Sequence, residues 1–215
     1  MNRRDFTRGL MFGVGYLAIA PTFVACKKTP PAVGSALSGV LPKLKPADWD
    51  PVAFNLERGL AGSIPESYHA AITSPDGVEK HVGKHLPYVP RVPERLVPDG
   101  FIPIMWGDPS KGYAKHPNAA PSDANGGQGH WYNWIRIRKA VQDAPEEETT
   151  FVSWPEVGSE STGSYVVMGN GDIREDGGRN TIYLAARPHG VRTGDVVRVH
   201  AHCLTHGEWV DFITV

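Results

Sequence analysis

The chain has 215 residues, of which 40% are hydrophobic, and its formal net charge is −1. This size and composition fit one globular domain with appendages, and the near-neutral charge gives no electrostatic case for binding nucleic acid. The 24 glycines and 19 prolines favour many turns and few long helices. Two cysteines, Cys26 and Cys203, are too few for a disulfide framework.

Residues 1–25 have the pattern of an export signal. Two arginines, Arg3 and Arg4, precede an apolar stretch at 9–20 that is too short to span a bilayer as a mature helix. The sequence N-R-R-D-F resembles a twin-arginine signal, which directs folded proteins across the bacterial inner membrane, and an ordinary secretory signal is the alternative. The expected location is therefore the periplasm.

Cys26 ends the sequence F-V-A-C, which resembles a lipoprotein processing site, although Phe23 stands where leucine is usual. Lipidation of Cys26 would anchor the protein to a membrane, and simple cleavage nearby is the alternative. Residues 26–50 are small, basic and rich in proline, which indicates a tether.

Residues 51–215 carry the signals of a folded domain. A short helix is expected near 54–60, whereas 86–98 hold too many prolines for a central strand and predict a loop or an edge segment. Alternating or β-branched residues predict strands at 131–138, 164–168, 173–174, 181–187, 195–202 and 209–215. Short strands separated by turn signals favour an all-β, antiparallel β-sandwich.

The chemistry-bearing residues are led by Cys203-Leu204-Thr205-His206-Gly207, in a chain with nine histidines. A thiolate and an imidazole at this spacing can bind one metal from a strand end and the turn after it. The pair alone leaves two interpretations, half a metal site or a buried cysteine beside an unrelated histidine. Three further histidines lie at boundaries between loop and strand, where each is either a surface residue or part of a convergent site: His85, His116 and His130.

Four segments, taken in order, resemble the ligand segments of the superoxide reductases, the neelaredoxins and the iron domain of desulfoferrodoxin. They are K-H-L-P-Y-V at 84–89, H-P at 116–117, H-W-Y-N-W-I at 130–135 and C-L-T-H-G-E-W at 203–209. The resemblance covers about residues 75–215 and implies an immunoglobulin-like sandwich with loop insertions that binds one mononuclear non-haem iron. It assigns Cys203 as the axial ligand and four equatorial ligands, His85, His116, His130 and His206.

The activity that the resemblance implies is the one-electron reduction of superoxide to hydrogen peroxide, with Lys84 attracting superoxide and helping protonation. The electron donor is not identified by the sequence, and neither is the oligomeric state, with a homo-oligomer among the expectations. The four-cysteine module of two-iron family members cannot precede this domain, because Cys26 is the only cysteine before it. A non-catalytic metal-binding or electron-transfer protein is the runner-up. A structural zinc site is a further alternative, whereas a cupredoxin is disfavoured because no methionine follows Cys203.

The first ligand has two candidates. Glu79-Lys80-His81 matches the family's E-K-H, while Lys84-His85 keeps the following L-P and lacks the glutamate, because Gly83 stands there. His85 is the first choice; if His81 binds instead, Glu79 and Lys80 take the outer roles.

Two intervals are longer than the family pattern, 117–129 and 131–202, and both are interpreted as surface insertions. His200 and His202 should face away from Cys203, because side chains alternate along a strand. We expect structural or exposed roles for both, and surface positions for His69 and His189. The glutamates at 146–148 predict a solvated loop, and Trp209 should border the metal.

Overall fold

A computed structural model describes residues 40–154, 164–167 and 175–215. The predicted export signal, Cys26 and the first part of the tether lie outside the described residues, as do 168–174 of the predicted hairpin. Within the described part of the chain, no helix combines the length and apolarity needed to cross a membrane.

Among the described residues, eight strands form two four-stranded sheets in which neighbouring strands pair antiparallel. The strands are β1 (Pro87–Tyr88), β2 (Phe101–Trp106), β3 (Tyr132–Lys139), β4 (Glu146–Thr150), β5 (Tyr165–Val167), β6 (Thr181–Ala186), β7 (Val196–Cys203) and β8 (Gly207–Thr214). The strand orders are β1-β2-β6-β5 and β4-β3-β7-β8. The predicted all-β class is confirmed, and the immunoglobulin-like topology stays a prediction.

Alternation along β7 explains how the two sheets share one core. Val197, Val199 and Ala201 are each 0% exposed, and they belong to the same hydrophobic cluster as Cys203. Residues of β2 and β6 from the other sheet, Ile104 and Tyr183 among them, join this cluster. Cys203 therefore ends a strand with its side chain at the edge of the core.

A helix packs along the free edge of β8, the last strand of its sheet. This helix, α1 (Pro51–Arg58), begins at Asp50, whose side chain accepts hydrogen bonds from the next turn, and Pro51 suits its first position. Asn55 links the helix to β8 by two hydrogen bonds. Its Nδ2 donates to the Val210 carbonyl oxygen, and its Oδ1 accepts from the Val210 N–H. The predicted helix near 54–60 is thus present and begins earlier. A second, four-residue helix, α2 (His69–Ile72), follows.

Two sequence interpretations were wrong. The glutamates at 146–148 form the edge strand β4, because arginines of the same sheet pair with them: Arg136 on β3 with Glu148, and Arg198 on β7 with Glu146. Their exposure to solvent was correctly expected. The interval 131–202, interpreted as a surface insertion, contains β3 to β6 and most of β7, so much of it is the sandwich itself.

Candidate metal centre

Five side chains converge where several strands begin or end. Tyr132 pairs with Cys203 and Pro87 pairs with Trp106, so these strand ends bring their flanking loops together. The five residues are His85 before β1, His116 after β2, His130 before β3, Cys203 at the end of β7 and His206 in the turn before β8. Their potential ligand atoms all lie within 4.8 Å of one another.

The closest contacts in the cluster are between nitrogens. His206 Nδ1 lies 3.0 Å from His85 Nε2 and 3.0 Å from His130 Nε2. Cys203 Sγ lies 3.5 Å from His116 Nε2 and 3.7 Å from His206 Nδ1. One ring nitrogen carries either one proton or one lone pair, so His206 Nδ1 cannot make a hydrogen bond to both neighbouring nitrogens.

A metal ion fits this arrangement. Two nitrogens that each bind a metal at about 2.1 Å, at right angles, are separated by about 3.0 Å, the spacing observed here. Four imidazoles with one thiolate suit iron, zinc or copper and do not suit magnesium or calcium, which prefer oxygen. The cluster could therefore hold a transition-metal ion.

The imidazoles are held in the neutral, metal-binding form. Burial, followed by the charge of neighbouring groups, lowers the pKa of His130 to about 4 and that of His206 to about 2. Burial likewise holds the pKa of His85 and of His116 well below the usual value. Each lone pair is thus free at neutral pH.

Cys203, unlike the histidines, must lose a proton before it can bind a metal. Burial raises the pKa of its thiol to about 12, although the nearby backbone of Thr205 and His206 and the charge of Lys84 oppose that rise. The side chain would be a neutral thiol without a cation. A bound metal ion would deprotonate it, because coordination stabilises the thiolate.

In two histidines of the cluster, a hydrogen bond to an oxygen outside the cluster determines which ring nitrogen carries the proton. His85 Nδ1 lies 2.6 Å from the His81 carbonyl oxygen, which can only accept, so Nδ1 carries the proton and Nε2 has the lone pair. His116 Nδ1 lies 3.2 Å from Asn118 Oδ1, and the Tyr183 hydroxyl donates to that same oxygen at 2.6 Å. Such partners orient metal-binding histidines in known sites.

Two aromatic side chains pack against the histidines of the cluster. Trp209, which the sequence predicted beside the metal, is fully buried and stacks on His85 with ring centroids 4.2 Å apart. Tyr68 stacks on His206 at 3.9 Å. Neither Tyr68 nor Asn118 was predicted, because no local motif marks either residue.

Lys84 lies beside the cluster. It is half-buried, and its positive charge contributes to lowering the pKa of the four histidines and of Cys203. Burial lowers its own pKa. Within the described residues no carboxylate forms an ion pair with it.

His85, and not His81, belongs to the cluster. His81 Nδ1 lies 3.0 Å from the Tyr68 hydroxyl instead. Lys80 is exposed and pairs with Asp76, and Glu79 is exposed. The sequence segment E-K-H therefore lies one helical turn too early to supply the fourth imidazole.

The other histidines have separate environments. His200 and His202 face away from Cys203, as alternation predicted, and each has an oxygen partner. His69 is half-buried, with Nε2 lying 3.1 Å from the Gly59 and Ile64 carbonyl oxygens, whereas His189 is exposed as expected.

No family model matches the chain, and neither a curated protein nor a solved structure is significantly similar to it.

Proposed function

We propose that this chain is an exported, one-iron superoxide reductase. The observation that carries the proposal is the convergence of four neutral imidazoles and one thiol within 4.8 Å, with a half-buried lysine beside them. The order of the segments that carry these residues resembles the order in the superoxide reductases. A bound ferrous ion would supply the single electron that reduces superoxide to the peroxide level.

The exposure of the site suits a small anion. His85, His116 and Cys203 are buried, while His130 and His206 are half-buried, so approach is open mainly on their side. Neutral imidazoles add no positive charge of their own. The Lys84 ammonium would therefore supply the local attraction for superoxide.

Lys84 also suits a role in protonation. Peroxide release requires two protons, and burial lowers the pKa of the Lys84 ammonium, which makes it a better acid than a solvent-exposed lysine. With a metal bound, the Cys203 thiolate would donate electron density toward it and so would favour its oxidation.

Export is the other part of the proposal. The paired arginines and the apolar stretch at 9–20 support a twin-arginine signal, which carries proteins that have already folded, often with a cofactor bound. Lipidation at Cys26 would anchor the exported enzyme to a membrane. Its electron donor would then be a periplasmic or membrane-bound reductant.

Replacing Lys84 tests the activity. In Lys84→Ala, the second-order rate of superoxide consumption by the iron-loaded protein should fall about tenfold, and its dependence on salt should weaken, because the steering charge is lost. Lys80→Ala is the matched control, since Lys80 is an exposed lysine one turn away that pairs with Asp76. Stopped-flow mixing with superoxide measures the rate, and iron analysis checks that loading is unchanged. Equal rates for the two variants would contradict the role of Lys84.

A non-catalytic metal-binding or electron-transfer protein is the second candidate. Gly83 stands where the family often has glutamate, and three of the five cluster residues are buried. An iron-loaded wild-type chain that fails to accelerate peroxide formation would favour this second candidate.

A further inference from the structure

Tyr68 contacts three parts of the site without belonging to the cluster. Its ring stacks on His206, with centroids 3.9 Å apart and planes 26° apart. The Lys84 Nζ lies 5.4 Å from the centroid of the same ring. The Tyr68 hydroxyl lies 3.0 Å from His81 Nδ1. One half-buried side chain therefore joins elements that are far apart in sequence.

A close backbone crossing places Tyr68 there. Gly207 has φ +78°, and a Cβ on it would lie 2.3 Å from the Ser63 carbonyl oxygen. Only glycine therefore lets the chain at 63–65 pass directly over the turn that carries His206. Ile64 is 2% exposed and secures the crossing, and a short 3-10 turn, Glu66–Tyr68, follows it.

The hydroxyl of Tyr68 acts on a second histidine through His81. The His81 carbonyl oxygen accepts from His85 Nδ1 at 2.6 Å, so the position of the His81 backbone sets the orientation of the His85 ring. The Tyr68 hydroxyl forms a hydrogen bond with the His81 side chain and thereby restrains the position of His81.

We propose that Tyr68 is a positioning residue of the metal centre. Its ring fixes the plane of His206 and keeps the Lys84 ammonium beside the cluster, and its hydroxyl holds the turn that orients His85. The part that concerns Lys84 rests on the proposed superoxide reductase activity. The part that concerns His206 and His85 requires only that the cluster binds a metal.

The expected loss of metal affinity on replacing Tyr68 can be judged from its contacts with the histidines. Loss of groups that orient metal-binding histidines commonly weakens metal affinity by about 10- to 100-fold. An aromatic face also stabilises a partly desolvated ammonium, so removal of the ring should release Lys84 toward solvent.

Cobalt binding tests the positioning role directly. Co²⁺ is titrated into metal-free protein against a competing chelator, and its visible and thiolate bands are recorded. Tyr68→Leu should weaken Co²⁺ binding by at least about tenfold, and Tyr68→Phe, which keeps the ring, by about threefold. Tyr88→Leu and Tyr88→Phe are matched controls, because Tyr88 is also half-buried but its hydroxyl donates to Met105 Sδ, away from the cluster. These controls should bind Co²⁺ as the wild type does.

Wild-type Co²⁺ affinity in a folded Tyr68→Leu variant would overturn the proposal. If Tyr68→Leu does not fold, as judged by circular dichroism, Tyr68→Met takes its place as the variant without the ring, and wild-type affinity in that folded variant overturns the role of the ring. Tyr68→Phe tests the hydroxyl alone: wild-type affinity and spectrum overturn the role of the hydroxyl, and weaker binding supports it. Neither result depends on superoxide chemistry. A wild-type chain that binds Co²⁺ here but does not reduce superoxide as the iron form would refute the proposed function alone.

The Lys84 part has its own test. Superoxide rates of Tyr68→Leu, Lys84→Ala and the double variant are compared after iron loading. If Tyr68 acts through Lys84, the Tyr68 substitution should slow Lys84→Ala by less than twofold while slowing the wild type several-fold. Fully additive losses would overturn this part.

Discussion

Histidines lie at both faces of β7, and their partners differ between the two faces. On the outer face, His200 Nε2 lies 3.0 Å from Glu208 Oε2, and His202 Nδ1 lies 2.6 Å from Asn133 Oδ1. At the inner face, the Cys203 sulfur lies against His116 and His206. The outer histidines have oxygen acceptors as partners, whereas each inner histidine directs one ring nitrogen at another nitrogen or at sulfur.

This difference separates structural histidines from candidate ligands. A histidine that donates to an oxygen is satisfied by the protein alone. A group of lone pairs directed at one another is satisfied only by a proton or a metal ion, and burial disfavours the proton here. The partner atoms of each ring nitrogen, rather than the number of histidines, therefore identify the site.

The largest expected effect separates the two candidates for the first ligand. His85→Ala removes a nitrogen from the cluster, so iron content after reconstitution should fall to below about a tenth of one ion per chain. His81→Ala leaves the backbone carbonyl that accepts from His85, so most of the iron should stay. Iron is measured by elemental analysis after gel filtration. Loss of iron in His81→Ala with retention in His85→Ala would reverse the assignment.

A smaller effect is expected on the outer face. His202→Ala removes one hydrogen bond and a ring stacked on Trp134, so the free energy of unfolding should fall by about 1 kcal/mol with no loss of metal. Urea unfolding of the metal-free protein measures the stability, and elemental analysis measures the metal. An iron-depleted but folded His202→Ala variant would contradict the division between the two faces.

Most strands of the sandwich can be predicted from the alternation of apolar and polar residues in the sequence, but β2 cannot. The sequence F-I-P-I-M-W has no polar alternation and contains Pro103, which argues against a strand beside two neighbours. The structure accommodates the proline because β1 pairs only with Met105 and Trp106, so Pro103 has a strand neighbour on one side alone. The edge strand β4 was also missed, because its glutamates become favourable only beside Arg136 and Arg198.

The five cluster residues could be predicted because each lies in a short motif whose order along the chain is informative. Tyr68 and Asn118 could not, because their positions depend on contacts between distant segments. Tyr68 reaches His206 only through the crossing at Gly207, and Asn118 is held by the Gly178 carbonyl oxygen, which accepts from its Nδ2 at 2.7 Å. No spacing in the sequence records such contacts.

The proposed function requires that Cys203 and the four histidines bind one iron ion. The most direct measurement is the iron content and visible spectrum of the oxidised protein beside those of Cys203→Ala. The wild type should hold one iron per chain and show a thiolate-to-iron charge-transfer band, and the variant should show no such band. A colourless wild-type protein that holds stoichiometric zinc, or a band that persists in Cys203→Ala, would contradict the proposed function.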